Sequence, residues 1–144
     1  MKRRSLCTFR VNNLTVGVDV TRVQEVLRPR PVTPVPLSEL AVSGLLNLRG
    51  QIVTVVDMRA RLGFDASESK PSGAVHIVVK SRGELLGLVA DCEGDVVDID
   101  EDTIQDLSEI VDDAIDTCFV GKSNVDDCLL FVLEPDRVLS GFAP

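Results

Sequence analysis

The sequence predicts a mainly β protein, and three observations support this fold class. The apolar residues are mostly Val, Leu and Ile, with no Trp or Tyr, and this β-branched bias favours strands. Short apolar runs recur at intervals of about 8 to 12 residues, with turn residues between them. No long helical pattern separates these runs, which argues against a parallel α/β sheet. Antiparallel barrels or sandwiches remain, and two small barrels side by side fit the pattern best.

The first sixty residues predict a hairpin followed by a short helix. Apolar residues in 6–11 and 14–20 indicate two strands, and an Asn-Asn pair supplies a tight turn between them. Thr21 and Gln24 have the spacing of a capping box, and the apolar residues after them recur at helical spacing until the next proline. We therefore expect a helix of about two turns after the hairpin.

The segment after this helix contains four prolines within residues 29–36, so we expect it to run extended along a sheet edge. A short helical turn is expected over 38–42, a strand over 52–56, and no more than a turn over 58–62. Residues 63–73 are polar and contain Gly, Ser and Pro, which indicates a boundary between two lobes.

The second half repeats the pattern of short strands. A hairpin, two later strands and a brief closing helix are predicted over 76–79 with 84–90, over 96–99 and 128–133, and over 135–139. Each lobe alone would lie near the lower size limit for a stable domain. We therefore expect the two lobes to share a core.

Charge is distributed unevenly along the chain. Residues 1–61 contain ten basic and four acidic residues, a net charge of +6, whereas residues 62–144 contain five basic and nineteen acidic residues, a net charge of −14. Such polarity steers the orientation in which partners meet and does not determine the fold. The stretch 91–116 contains twelve acids and no Lys or Arg, which is typical of a solvated acidic face.

Several functional classes lack the residues that they require. The cysteines show no C-x-x-C spacing and no cluster surrounds His76, so no metal site is predicted. Without a G-x-S-x-G motif or a phosphate-binding glycine loop, we predict neither an enzyme nor a cofactor. The basic residues are not interleaved with aromatics, so nucleic-acid binding is not expected. No signal-peptide or membrane-spanning pattern is found, and we expect a cytosolic protein without direct membrane insertion.

Two acidic patterns suggest alternative functions. Carboxylates from Asp98 to Glu109 occupy EF-hand positions, but the sixth position is Thr103 instead of glycine, and a strand is predicted before the loop. An acidic calcium-binding module, or another stand-alone β interaction module, remains the alternative. Asp57 follows an apolar strand as a receiver phosphoacceptor would, but the chain lacks that fold's alternating helices, so we interpret Asp57 as a strand-end residue.

The most distinctive run of the chain is 43–59, in which Gly44 and Gly50 bracket five residues before an apolar strand. Two tight bends are predicted there, with Arg49 at a turn and its guanidinium directed outward. An arginine in that position can bind a partner's carboxylate. On this chemistry alone, however, a solvated surface arginine in an ordinary turn is the simpler interpretation.

The same run resembles the signature of the CheW-like family, the coupling proteins of bacterial chemotaxis: glycine, two apolar residues, Asn-Leu-Arg-Gly, an apolar strand, then Asp and Arg. The resemblance covers about residues 5–141. It implies one domain over 1–144 with two intertwined five-stranded SH3-like barrels. The lobes would span about 14–68 and 72–134, with the terminal segments crossing between them.

The resemblance also implies an adaptor that works by binding and conformational relay. One surface would bind the cytoplasmic tip of a chemoreceptor and others the regulatory domain of the chemotaxis histidine kinase, in receptor arrays at the membrane. Matched by position, the receptor-facing groove would include Val20, Val23, Glu25, Val26, Arg49 and Val89. The motif and packing positions would be Gly44, Asn47, Leu48, Gly50 and Gly87. For the valines at 23 and 26, core packing of their own helix stays an open alternative.

Overall fold

A computed structural model describes residues 2–35, 41–64, 74–106 and 118–139, which form eleven strands, one short α-helix and three 3-10 turns. The strands are β1 (Arg3–Val11), β2 (Leu14–Asp19), β3 (Val23–Leu27), β4 (Val42–Leu48), β5 (Gln51–Asp57), β6 (Val75–Ser81), β7 (Glu84–Ala90), β8 (Cys92–Asp100), β9 (Gln105–Asp106), β10 (Phe119–Val125) and β11 (Cys128–Leu133). The helix is α1 (Met58–Arg61), and the 3-10 turns are Val20–Arg22, Glu101–Thr103 and Pro135–Arg137. The predicted fold class, mainly β with short helices, is confirmed.

The strands assemble into two sheets, and each sheet takes strands from both halves of the chain. Sheet 1 has the order β8-β1-β2-β11-β10-β9, and sheet 2 has the order β3-β6-β7-β5-β4. Sheet 2 contains the expected five strands, and sheet 1 contains a sixth that is only two residues long. The pairs β2–β11 and β5–β7 are parallel and join strands that are distant in sequence. The chain division into lobes over 14–68 and 72–134 stays a prediction.

One hydrophobic core lies between the two sheets, as the shared-core prediction requires. Phe9 and Val16 of sheet 1 belong to the same buried cluster as Ile77 and Leu88 of sheet 2. Two smaller clusters are formed by strands of one sheet only, in sheet 2 by residues such as Val55 and in sheet 1 by residues of β1, β8 and β11. Because full burial of such a side chain contributes roughly 1.5 to 3 kcal/mol, the shared cluster binds the sheets together.

Both predicted hairpins are confirmed. β1 pairs with β2 through a two-residue turn in which Asn12 has a φ of 56°, and β6 pairs with β7 through Arg82 and Gly83, with φ values of 51° and 81°. Positive φ at these positions gives the turn a twist that matches the flanking strands. The strand predicted over 128–133 is also present, and the closing helix predicted over 135–139 is a 3-10 turn over Pro135–Arg137.

The helix predicted after the first hairpin is wrong. Only Val20–Arg22 form a 3-10 turn, which Asp19 caps by accepting a hydrogen bond from the Thr21 N–H at 2.9 Å. The next five residues form β3, which pairs with β6. Valine is β-branched and stiff in a helix, and ladder pairing together with burial of Leu27 outweighs the capping-box signal.

Other elements differ in length from the prediction. The turn expected over 58–62 is α1, and the strand expected over 96–99 is part of the nine-residue β8. The predicted turn over 38–42 and the breaker at 63–73 lie largely outside the described residues, and residue 42 begins β4. Strands β4 and β10 are not predicted from the sequence, because glycine and polar residues obscure their apolar alternation, and Gly44 lies within β4 instead of at the predicted tight bend. Within the described ranges, no helix is long and apolar enough to cross a membrane.

Candidate functional site

The Asn-Leu-Arg-Gly sequence forms the end of β4 and the hairpin turn that leads into β5. Arg49 and Gly50 are the two turn residues, with φ values of 50° and 86°. The Asn47 Oδ1 accepts a hydrogen bond from the Gly50 N–H at 2.9 Å, and Leu48 is buried beneath the turn. The turn therefore has a fixed conformation and holds an arginine at its tip, where 68% of the side chain is exposed.

Arg49 forms a bidentate ion pair with Glu25 of β3. The Arg49 Nη1 lies 2.5 Å from Glu25 Oε1, and Nη2 lies 3.0 Å from Oε2. β3 and β4 are the two edge strands of sheet 2, and no ladder between them occurs in the described part of the chain. Leu27 and Leu46 from these strands nevertheless belong to one buried cluster. The sheet is thus curled so that the ion pair spans the seam between its edges.

The ion pair sets the protonation of Glu25. The hydrogen bond from Arg49 is the main reason that the pKa of Glu25 lies below its ordinary value; desolvation opposes this shift, and the charges of Arg49 and Arg30 support it. A lowered pKa in the folded state stabilises the fold above the ordinary glutamate pKa, and this contribution is lost as the pH falls through the lowered value. The pair is therefore fully ionised at neutral pH.

We expect the Arg49→Gln substitution to raise the pKa of Glu25 towards its ordinary value, because the largest favourable interaction of the carboxylate is removed. An NMR titration of the Glu25 carboxyl carbon would measure the change. Arg30→Gln is the matched control and should raise this pKa less, because Arg30 acts on Glu25 through charge alone. An unchanged Glu25 titration in Arg49→Gln would contradict the ion pair.

Gly44 lies at a bulge in β4 where another strand segment approaches closely. Thr33 and Leu45 exchange two backbone hydrogen bonds of 2.8 Å, so the proline-containing segment runs along the edge of β4. A Cβ atom on Gly44 would lie 2.2 Å from the Thr33 carbonyl oxygen, and the φ of 149° disfavours any other residue. Gly87 on β7 is also closely packed, because its Cβ would lie 3.1 Å from Val53 Cγ1.

Comparison with known proteins agrees with this geometry. Residues 5–142 match the family model of the CheW-like domain. The chain belongs to the CheW-like family. It is 30% identical over 135 residues to the chemotaxis protein CheW of Rhizobium meliloti, covering 94% of this chain and 86% of that protein. It is 28% identical over 139 residues to the chemotaxis protein CheW of Thermotoga maritima, covering 96% and 89%.

The crystal structure of the scaffolding protein TtCheW from Thermoanaerobacter tengcongensis has the same fold. Its TM-score is 0.88 at 24% identity, and the match covers 96% of this chain and 94% of that one. At this identity the likeness shows a common fold, which agrees with the family assignment.

The remaining groove positions of this CheW-like chain do not all face the ion pair. Val26 follows Glu25 on β3 and is 36% exposed, and Val20 is partly exposed at the start of the 3-10 turn. Val23 packs against the core between the sheets, whereas Val89 packs against the cluster within sheet 2. Val20, Val23 and Val89 are all half-buried, so of the four valines only Val26, next to Glu25 on β3, is exposed.

A second ion pair, formed by Arg59, is not predicted from the sequence. Arg59 is a possible partner of Asp57 by sequence proximity, but Asp57 caps α1 by accepting from the Arg59 N–H at 3.0 Å. The Arg59 guanidinium instead pairs with Asp91, with Nε to Oδ1 at 2.8 Å and Nη2 to Oδ2 at 2.7 Å. Asp91 also accepts from the Asn12 N–H at 2.7 Å, so it joins α1 to the first hairpin. Only the fold reveals these partners, which are far apart in sequence.

Proposed function

We propose that this chain couples chemoreceptors to a histidine kinase by binding both, and that it relays the receptor state without catalysing a reaction. The observation that carries the proposal is the exposed Glu25–Arg49 pair, held by the signature turn in a chain of the CheW-like family. A rigid pair of opposite charges suits recognition of another protein, since a fixed guanidinium loses little freedom on binding.

The receptor would bind beside this pair as an amphipathic helix. Its apolar residues would contact Val20 and Val26, which are partly exposed, and a polar or acidic residue would contact the outer donors of Arg49. Val23 and Val89 would support this surface from below through their packing. The receptor tip would hold the adaptor in membrane-associated arrays.

The kinase regulatory domain would bind elsewhere on the chain. The net charge is +6 over residues 1–61 and −14 over residues 62–144. This uneven charge favours an arrangement in which partners of different charge bind at different ends of the molecule. The acidic stretch 91–116 would contribute to this matching of partners. Separate surfaces are needed because an adaptor has to hold both partners at the same time.

Isothermal titration calorimetry with purified components tests this proposal. The folded chain is titrated in turn with a helical-hairpin fragment of a chemoreceptor tip and with the regulatory domain of the kinase encoded near the same gene. We expect saturable binding to each. Absence of both interactions, with circular dichroism showing a folded β protein, would refute the proposal.

A further inference from the structure

The outer edge of β8, which no strand of the described residues pairs with, forms a surface distinct from the Glu25–Arg49 site. β8 is a nine-residue strand at the end of sheet 1, and its only ladder partner among the described residues is β1. An edge strand presents N–H and C=O groups that a strand from another protein can pair with. Bulges and charged side chains limit pairing at such edges, and β8 has both, so any partner strand has to match the charges of its short regular part.

The ladder between β1 and β8 shows which backbone groups face outward. The Glu101 N–H donates to the Lys2 carbonyl oxygen at 2.9 Å, so the pair beside Asp100 is hydrogen bonded. Hydrogen-bonded and non-hydrogen-bonded pairs alternate in an antiparallel ladder. Val96, Asp98 and Asp100 are therefore the residues whose N–H and C=O groups point away from β1. Among these groups, the Asp100 carbonyl oxygen already accepts a hydrogen bond from the Thr103 hydroxyl at 2.6 Å.

The side chains of the same three residues share the outer face of the sheet. Val96 is 61% exposed, Asp98 is exposed and Asp100 is partly exposed, whereas Val97 and Ile99 pack into the cluster within sheet 1. The edge therefore presents one apolar and two acidic side chains at alternate positions. A bulge at residues 94–95, where two residues face one residue of β1, limits the regular edge to 96–100.

The residues of β1 that lie opposite β8 show which side chains suit the outer face of β8. It places Arg3 opposite Asp100 and Ser5 opposite Asp98, and the Ser5 Oγ donates a hydrogen bond to Asp98 Oδ1 at 2.5 Å. The small Cys7 lies opposite Val96. A strand on the open side would meet the same three side chains, since the pairing rules are the same on both sides of a strand.

We propose that the β8 edge binds an extended basic segment of another protein as an additional antiparallel strand. The segment carries Lys or Arg opposite Asp100 and Asp98 and an apolar residue opposite Val96. A second β8 is a poor occupant, because it would place acid against acid. The chain's own β1 is also excluded, because both of its edges are already paired in sheet 1.

A capped peptide, Thr-Arg-Thr-Arg-Thr-Val-Thr, tests the proposal with the full chain at low ionic strength. We expect saturable binding and an approximately tenfold slowing of amide hydrogen exchange at Val96, Asp98 and Asp100, because these N–H groups gain hydrogen bonds. Val97 and Ile99 should change little, since their amides already face β1. A peptide with Glu in place of both Arg residues should not bind.

Two substitutions that change the net charge equally distinguish binding at the β8 edge from non-specific electrostatic attraction. Asp98→Lys should weaken peptide binding about fivefold or more, because an opposed charge pair becomes a repulsive one. Glu84→Lys, on an exposed position of sheet 2, should leave binding nearly unchanged. Arg49→Glu should also leave it unchanged, so that failure here and failure of the receptor site are distinguishable.

Three results would overturn the proposal: no saturable binding, binding without slower exchange at the three outward amides, or equal losses in Asp98→Lys and Glu84→Lys. Slow exchange of these amides in the free chain would also overturn it, because the edge would then already be covered.

Discussion

The Gly44→Ala substitution is expected to destabilise the fold by about 3 kcal/mol, because the added methyl group meets backbone atoms that cannot rotate away. The new Cβ would lie 2.2 Å from the Thr33 carbonyl oxygen and 2.7 Å from its carbonyl carbon. Relief of this clash requires the segment at Thr33 to move and its two 2.8 Å hydrogen bonds with Leu45 to weaken. Urea unfolding followed by circular dichroism would measure the loss.

Gly50→Ala is the matched control for this prediction. Gly50 also has a positive φ, of 86°, but no atom lies within 4 Å of the place that an added methyl group would occupy. Its substitution should cost only about 1 kcal/mol, from the backbone conformation alone. Equal losses of stability at the two positions would show that the contact with Thr33 does not govern the role of Gly44.

The Arg49→Glu substitution is expected to weaken binding of a chemoreceptor fragment by more than about tenfold while the fold stays intact. The change replaces an attractive pair by two carboxylates and reverses the charge at the most exposed point of the proposed site. Because this side chain is largely exposed, its loss should barely alter thermal unfolding. Titration calorimetry would give the affinity, and a strongly lowered melting temperature would contradict this role.

A charge swap distinguishes contact with the receptor from support of the groove. In the double variant Glu25→Arg with Arg49→Glu, the ion pair can form again, but the exposed tip carries the opposite charge. We expect binding to stay weak, since only 23% of the Glu25 side chain is exposed compared with 68% for Arg49. Arg30→Glu changes the net charge as much as the single substitution Arg49→Glu does, and it should weaken binding less than Arg49→Glu. Full recovery in the swap would mean that the pair only shapes the groove.

Local turn chemistry accounts for the elements that the sequence predicts well. The Asn-Asn and Arg-Gly pairs specify hairpins because few residues adopt the positive φ that a two-residue turn needs. The failed helix at 21–27 shows the opposite case. Its capping residues and apolar spacing are locally helical, but pairing with β6 decides the outcome, and that partner lies about fifty residues away in the chain.

The candidate site can be predicted in part. Family resemblance implies that Glu25 and Arg49 share one groove, which stays a prediction, but their direct contact depends on how sheet 2 brings its two edge strands together. The same limit applies to Arg59, for which the sequence suggests a nearby aspartate and the structure shows Asp91. Contacts between distant residues follow from strand order, which short-range patterns do not encode.

Assembly of all three components is the most direct test of the central claim that the chain is a coupling adaptor. The chain is mixed with a receptor-tip fragment and the kinase regulatory domain, and the mixture is analysed by size-exclusion chromatography with light scattering. We predict one peak that contains all three proteins, and loss of the receptor fragment from that peak with Arg49→Glu. Separate elution of the folded chain from both partners would contradict the account.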